Sequence, residues 1–202
     1  RNMCRWTGEA LSIASELVLP SSTGVIGRRL PVKKIHEGCQ IIPEKLGSSP
    51  EYIDNFARAI MTTDRHPKWN CSSIENATLL GVAKGAGMIE PNMATMLSYF
   101  VTDAQLSSEQ LQKMLRRVVN QSFNRISIDS DTSTSDTVII LANGLAGPVD
   151  AQQFEKAFSN SAMQLRPTSF ALYIAASAWR KSSSGEGDSA PFEQATPILA
   201  ET

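Results

Sequence analysis

The chain has 202 residues, 42% of them hydrophobic and 19% charged, which are the values of a globular protein able to bury a sizeable core. Its formal net charge of −1 removes the electrostatic case for a nucleic acid or an anionic membrane as partner, and no apolar run approaches the roughly 18–20 residues of a membrane span. The three cysteines, Cys4, Cys39 and Cys71, include no C-x-x-C pair, which argues against a disulfide framework or a zinc site and for a reducing compartment.

In chain order, Thr7 is predicted to cap a helix with apolar positions Ala10, Leu11, Ala14 and Leu17, stopping before Pro20. Ser21–Pro31 follows, with Gly24 and Gly27 three apart and Thr23 beside the first. That spacing makes either a surface turn or a tight loop whose backbone N–H groups face a ligand. Ser49-Pro50-Glu51 supplies a cap, a proline at the first helical position and an acid in the first turn; Ile53, Phe56, Ala57 and Ile60 continue one apolar face. The stripe ends in the polar cluster Met61-Thr62-Thr63-Asp64, whose hydroxyls either cap the chain or face a pocket, and residues 65–78 read as polar and irregular.

The centre of the sequence is Lys84-Gly85-Ala86-Gly87-Met88-Ile89-Glu90-Pro91-Asn92-Met93-Ala94-Thr95-Met96-Leu97: a cation, two close glycines, a proline stop and a small-residue junction before an apolar strand read over 96–101. Beyond it, Ser107 with Gln110 forms a capping-box pattern, and Leu111, Met114, Leu115, Val118 and Val119 mark an amphipathic helix. Lys113, Arg116 and Arg117 lie off that stripe and read as a solvated face. Ser122–Asp136 is rich in hydroxyls and carries Asp129, Asp131 and Asp136, but it fails as an EF-hand loop because the sixth position is Thr134 and the twelfth Ile140. It either satisfies its own backbone or lies beside an active site. A strand is read over 137–142, then a helix from Asp150 with Phe154, Phe158 and Leu165 on one side. After Pro167 come a short apolar segment and a Ser- and Gly-rich tail.

Several chemistries fail on spacing. Gly85-Ala86-Gly87 lacks the third glycine of a dinucleotide fingerprint, neither glycine-rich loop carries the phosphate-cradle lysine, there is no G-x-S-x-G elbow, and the two histidines, His36 and His66, stand outside any metal-spaced pattern. A threonine nucleophile survives. If the chain is cut before Thr95, the freed α-amine, with an ordinary pKa of about 7.7–8, can act as its base. Ala94 on the leaving side would keep the scissile carbonyl accessible, and the Thr23–Gly24 loop could supply oxyanion donors.

Three blocks together resemble the ornithine acetyltransferase family, the glutamate N-acetyltransferases of arginine biosynthesis: Ser22-Thr23-Gly24-Val25-Ile26-Gly27; Lys84-Gly85-x-Gly87-Met88-Ile89 through Met93-Ala94-Thr95-Met96-Leu97; and Ser122-Phe123-Asn124-Arg125 through Asp129-x-Asp131-Thr132-Ser133-Thr134-x-Asp136-Thr137. The resemblance covers roughly residues 17–158. It implies an α/β fold of layered sheets and helices shared with the DmpA aminopeptidase, truncated at both ends. It also implies self-cleavage between Ala94 and Thr95, dividing the chain into an α-like part, 1–94, and a β-like part, 95–202. Thr95 would then carry acetyl from N-acetylornithine to glutamate, Thr23 and Gly24 would form the oxyanion hole, and Lys84 and Thr62 would contact substrate. No cofactor is implied, although bifunctional members also accept acetyl-CoA. The expected assembly is two α and two β chains, in the cytoplasm or, in a eukaryote, the mitochondrial matrix or plastid.

The departures from the family pattern are local in the third block and broad at the end. Ser130 and Ser135 replace an expected Gly and Asn, and past about residue 162 the likeness fades. Gly185-Glu186-Gly187 stands where the family has a substrate-binding glutamate, so Glu186 is carried as a candidate remnant of that contact. The resemblance thus implies a fragment or an altered C-terminus, with low turnover from this chain alone. The competing expectations are a self-cleaving N-terminal-nucleophile hydrolase that passes its acyl group to water, and an inactive fragment.

Overall fold

The computed structural model describes residues 1–22, 27–62, 64–85, 96–125 and 135–166. The chain divides into two units, Arg1–Phe56 and Ala57–Thr202.

In the first unit, α1 spans Asn2–Leu11, a short 3-10 turn covers Ser15–Leu17, and α2 (Val32–Gln40) and α3 (Ile42–Lys45) follow. The predicted cap at Thr7 is not one, because α1 begins five residues earlier. Met3, Trp6 and Ala10 already form an apolar stripe at helical spacing, and the Trp6 ring packs on His36 with centroids 4.4 Å apart. Thr7 sits mid-helix, its hydroxyl 3.5 Å from Cys39 Sγ. The helix also ends sooner than its stripe suggested. Ser12 takes a left-handed conformation (φ 55°), and the Ile13 N–H donates back to the Gly8 carbonyl at 3.0 Å. The chain folds so closely over Gly8 that a Cβ there would meet Ile13 O at 2.8 Å. Ala14 and Leu17 therefore fall outside α1. The next helix, α4 (Pro50–Ala59), starts where Ser49-Pro50-Glu51 predicts.

The second unit is built on a sheet with strand order β1-β2-β3-β4: β1 Lys68–Ile74, β2 Ala77–Lys84, β3 Leu97–Gln105 and β4 Thr137–Pro148. The first three strands are antiparallel, and β4 runs parallel to β3. A parallel neighbour needs a crossover. Here α5 (Ser108–Gln121) lies between β3 and β4 in the chain, and α6 (Ala151–Leu165) follows β4. Both helices start as read. Ser107 accepts from the Gln110 N–H while Gln110 accepts from the Ser107 N–H, and Asp150 accepts from the Gln153 N–H at 2.8 Å. The expected layered α/β class holds: α5 and α6 close one face of a mixed sheet.

Strand alternation sorts the faces. Ile74, Leu79, Ala83 and Phe100 meet Met114 and Val118 of α5 and Phe154, Phe158 and Leu165 of α6 in one core. Phe100 and Phe158 meet edge to face at 4.8 Å. A polar anchor crosses the same interface: Asn70 on β1 donates to the Ser161 carbonyl (3.0 Å) and Gln164 (2.9 Å), and accepts from the Ser161 hydroxyl (2.5 Å). Outside, Arg117 of α5 donates from Nε and Nη2 to the two carboxylate oxygens of Glu155 on α6, and Lys113 pairs with Glu109, so those cations lie on the solvated face expected of them.

Residues 65–78 are less irregular than the sequence suggests. They hold β1 and the start of β2, and Ile74 pairs with Ala77, so Glu75 and Asn76 alone make the turn, with Glu75 left-handed at φ 54°. A two-residue hairpin turn normally advertises itself by Asn-Gly or Asp-Gly, and this one does not.

Gly81 lies on the face of the sheet that α6 covers, against Leu165. A Cβ there would stand 2.6 Å from Leu165 Cδ1 and 2.8 Å from the Phe100 ring. Gly81→Ala should therefore destabilise the protein by about 1–3 kcal/mol through overpacking. Urea denaturation measures this, and a variant as stable as wild type would mean that α6 can move aside at no cost.

Candidate functional site

The register of β2 and β3 places Lys84 opposite Leu97, so residues 85–96 connect the two strands. The expected scissile bond, Ala94–Thr95, belongs to that connection. Ala94 and Thr95 lie outside the described residues, as do Thr23, Gly24 and Glu186. Lys84 and Thr62 lie within them, and the structure brings them together.

Lys84 is the last residue of β2 and shares the sheet face of Val82, opposite α5 and α6. It is only 1% exposed, and its Nζ donates to Thr62 Oγ1 at 3.5 Å, the long end of a hydrogen bond. Burial pushes the ammonium below its ordinary 10.5, because a low-dielectric site disfavours charge; Asp64 and Asp136 pull upward, and Lys68 adds to the fall. Lys84 is thus a buried amine whose charged form is held less firmly than that of an ordinary lysine. A carboxylate brought against it would favour the ammonium.

Asp64 organises the residues around this lysine. Its Oδ1 accepts from Lys68 Nζ at 2.5 Å and from the Gly85 N–H at 2.9 Å, while Lys68 Nζ also donates to the Gly85 carbonyl at 2.5 Å. One ion pair therefore holds both backbone polar groups of Gly85. Gly85 has φ 141°, a conformation that side chains disfavour, so the clamp and the glycine specify the same exit from β2. The Asp64 side chain is 1% exposed and Lys68 24%. Burial works to raise the Asp64 carboxyl, but the Lys68 hydrogen bond and charge, with the Gly85 N–H, outweigh it and hold the group below its ordinary 3.8. Its Oδ2 has no hydrogen-bond partner among the described residues and can receive a further donor.

At the far end of the connection Met96 is held in the same manner. Its N–H donates to Asp136 Oδ1 at 2.8 Å, and its carbonyl accepts from the Thr137 N–H at 3.0 Å. Sequence reasoning singled out Lys84 and Thr62 but gave no role to Asp64, Lys68 or Asp136. The available signal was the position of Asp64 and Asp136, each ending a hydroxyl-rich run, Asp64 four residues before β1 and Asp136 directly before β4.

The depressed Asp64 carboxyl makes a signed prediction. Its stabilising effect is present above the ordinary carboxylate value of 3.8 and disappears as pH falls through the lower folded-state value. Asp64→Asn should cost about 1–3 kcal/mol at neutral pH by leaving Lys68 uncompensated, and should flatten the loss of stability in acid. Denaturant titrations from neutral pH down to about pH 2 read both effects. Parallel curves for the two proteins would exclude Asp64 as the source.

The family model described as the ArgJ family matches residues 1–169. The chain is 52% identical over 155 residues to the arginine biosynthesis bifunctional protein ArgJ 2 of Clostridium acetobutylicum, covering 77% of this chain and 39% of that one. It is 48% identical over 156 residues to the glutamate N-acetyltransferase Oat2 of Streptomyces clavuligerus, with the same coverage. It is 49% identical over 146 residues to the mitochondrial ArgJ of Schizosaccharomyces pombe, covering 70% of this chain and 32% of that one. The chain thus spans about two-fifths or less of the length of these relatives. Every described residue of the Lys84 site falls inside the matched region, and a match from residue 1 to 169 leaves one conclusion: the chain belongs to the ArgJ family.

Proposed function

We infer that this chain is the central part of an acetyltransferase of arginine biosynthesis, which moves acetyl from N-acetylornithine to glutamate through an acetyl ester on Thr95. Membership of the ArgJ family and the likeness to a Streptomyces protein named as a glutamate N-acetyltransferase support the reaction class. The observation on this chain that carries it furthest is the approach of Lys84 to Thr62 at the exit of β2.

The chemistry begins with processing. The Thr95 hydroxyl oxygen bonds to the Ala94 carbonyl carbon as the Ala94–Thr95 C–N bond breaks. Water then hydrolyses the resulting ester, leaving an Ala94 carboxylate and a free Thr95 α-amine. In the acetyl transfer that amine takes the hydroxyl proton as Oγ1 attacks the acetyl carbonyl carbon of N-acetylornithine. The Thr23 hydroxyl and the Gly24 N–H receive the developing oxyanion. The amide C–N bond breaks, the proton passes to the departing α-amine, and ornithine leaves. The glutamate α-amine attacks the ester carbonyl, the threonine oxygen departs with its proton restored, and acetylglutamate is released. Lys84 and Thr62 bind the carboxylate end of the amino-acid substrates, and Glu186 belongs to the same substrate set.

The reading extends to acetyl-CoA as an alternative acetyl donor, with no bound cofactor, and to an assembly of two α and two β chains. It places the enzyme in the cytoplasm or, in a eukaryote, in the mitochondrial matrix or plastid; the Schizosaccharomyces relative is named as mitochondrial. No helix among the described residues is long and apolar enough to cross a membrane.

Four measurements test this. The gene product should appear by intact mass as two chains divided between Ala94 and Thr95, and Thr95→Ala should appear as one chain without activity; a Thr95→Ala protein still cut there removes Thr95 as nucleophile. Ornithine release should require glutamate, and release into water alone would make the protein a hydrolase. Lys84→Met should raise the KM for glutamate about 10–100-fold, the loss expected for a charged hydrogen bond. In the wild type KM should rise with pH as the Lys84 ammonium is lost, at lower pH than an ordinary lysine would show, and the variant should be flat. The same pH dependence in both proteins would separate Lys84 from substrate binding.

A further inference from the structure

The β3–β4 ladder runs one residue past the start of β3, and it ends in an unusual way. Thr137, the first residue of β4, pairs with Leu97 and donates its N–H to the Met96 carbonyl. The next donor on that edge is the Met96 N–H. A side chain receives it, Asp136 Oδ1, at 2.8 Å. Residues 136 and 137 thus hold both backbone polar groups of Met96, one by a carboxylate and one by an amide.

The chemical setting gives this contact a meaning beyond strand termination. The Met96 nitrogen belongs to the peptide unit whose carbonyl is that of Thr95, and a peptide unit is planar. The bond at the Met96 N–H acts on that plane directly, and the bond at the Met96 carbonyl, in the next peptide unit, steadies the Met96 Cα where the two units join. Only the rotations about the Thr95 Cα then remain to aim its hydroxyl. After cleavage at Ala94–Thr95 no covalent bond holds the new chain start from its other side, and strand ends without such a tether fray. A carboxylate acceptor gives a stronger hydrogen bond than a neutral carbonyl would.

We propose that Asp136 is a positioning residue for Thr95, its carboxylate standing in for a ladder carbonyl at the Met96 N–H and so holding the peptide plane that carries the nucleophile. This rests on the reading of Thr95 as the nucleophile. Asp136 is exposed, so its loss costs the fold little and its effect is read in reactivity. The acceptor is what matters, and an asparagine side-chain oxygen can also accept, so Asp136→Asn keeps the function that Asp136→Ala removes.

The experiment compares wild type, Asp136→Ala and Asp136→Asn in the whole gene product. Asn70→Ala serves as a control that weakens the α6 side of the same sheet. Precursor cleavage is followed by mass, acetyl transfer by steady-state kinetics, and the amide at Met96 by hydrogen exchange. Asp136→Ala should slow precursor cleavage and lower kcat about 10–100-fold, the effect of a nucleophile displaced by about an ångström, with KM changed less than about twofold. Exchange at the Met96 amide should quicken. Asp136→Asn should return kcat to within about threefold of wild type, since its hydrogen bond to Met96 is retained. An unchanged kcat in Asp136→Ala overturns the proposal, as does Asp136→Asn as impaired as Asp136→Ala, or an equal fall in Asn70→Ala. If Thr95→Ala is inactive and uncleaved while Asp136→Ala is normal, the positioning role alone falls. If Thr95→Ala remains cleaved and active, both readings fall.

Discussion

The pairing of Lys84 with Leu97 is the constraint on which the centre of this protein depends. It brings the end of β2 and the start of β3 side by side, and it makes residues 85–96 a connection with fixed ends. Gly85 leaves β2 under the grip of Asp64 and Lys68, and Met96 enters β3 under that of Asp136 and Thr137. At each end a carboxylate accepts a backbone N–H that the ladder does not use. Such groups are costly to leave unpaired, so the sheet completes its hydrogen bonding with side chains where its backbone partners stop.

The same corner concentrates charge. The Lys68 charge works against the Lys84 ammonium, and Asp64 and Asp136 work for it. The balance is uneven. Lys68 has a direct ionic partner and some solvent, whereas Lys84 is almost wholly buried, its Nζ 3.5 Å from Thr62 Oγ1. An ammonium so placed gains more from an incoming anion than a solvated one would, because little water must be displaced and the local dielectric is low.

Much of this was legible in the sequence where local physics decides. Ser107-x-x-Gln110 and Asp150 announced their helices because a cap is satisfied within three residues. The stripe of Phe154, Phe158 and Leu165 faces the core as its spacing requires. The hidden elements are those whose reasons lie elsewhere in the chain. The inward positions of β1 include Asn70 and Ser72, polar residues without an apolar alternation to read, and Asn70 finds its partners on α6 some ninety residues away. The start of α1 was misplaced because Thr7 looks like a cap, while the tertiary contact of Trp6 with His36 extends the helix past it. In the site, Lys84 and Thr62 could be named from motifs, but the Asp64–Lys68 clamp could not. Its third member is the backbone of Gly85, and no side-chain pattern reports what a backbone group needs.

The β2–β3 ladder also governs what kind of object the processed enzyme would be. Cutting the chain between Ala94 and Thr95 leaves β1 and β2 on one polypeptide and β3 and β4 on the other, so the middle seam of the sheet becomes an interface between separate molecules. An intact chain closes that seam at the modest entropic cost of a short loop. Two severed chains must first find each other in solution, at a cost of several kcal/mol in lost translational and rotational freedom, roughly 4–15. Unfolding of the cut form would then depend on protein concentration, and refolding would become a second-order reaction. Such a protein folds once as a single chain and afterwards persists by the slowness with which its two halves part.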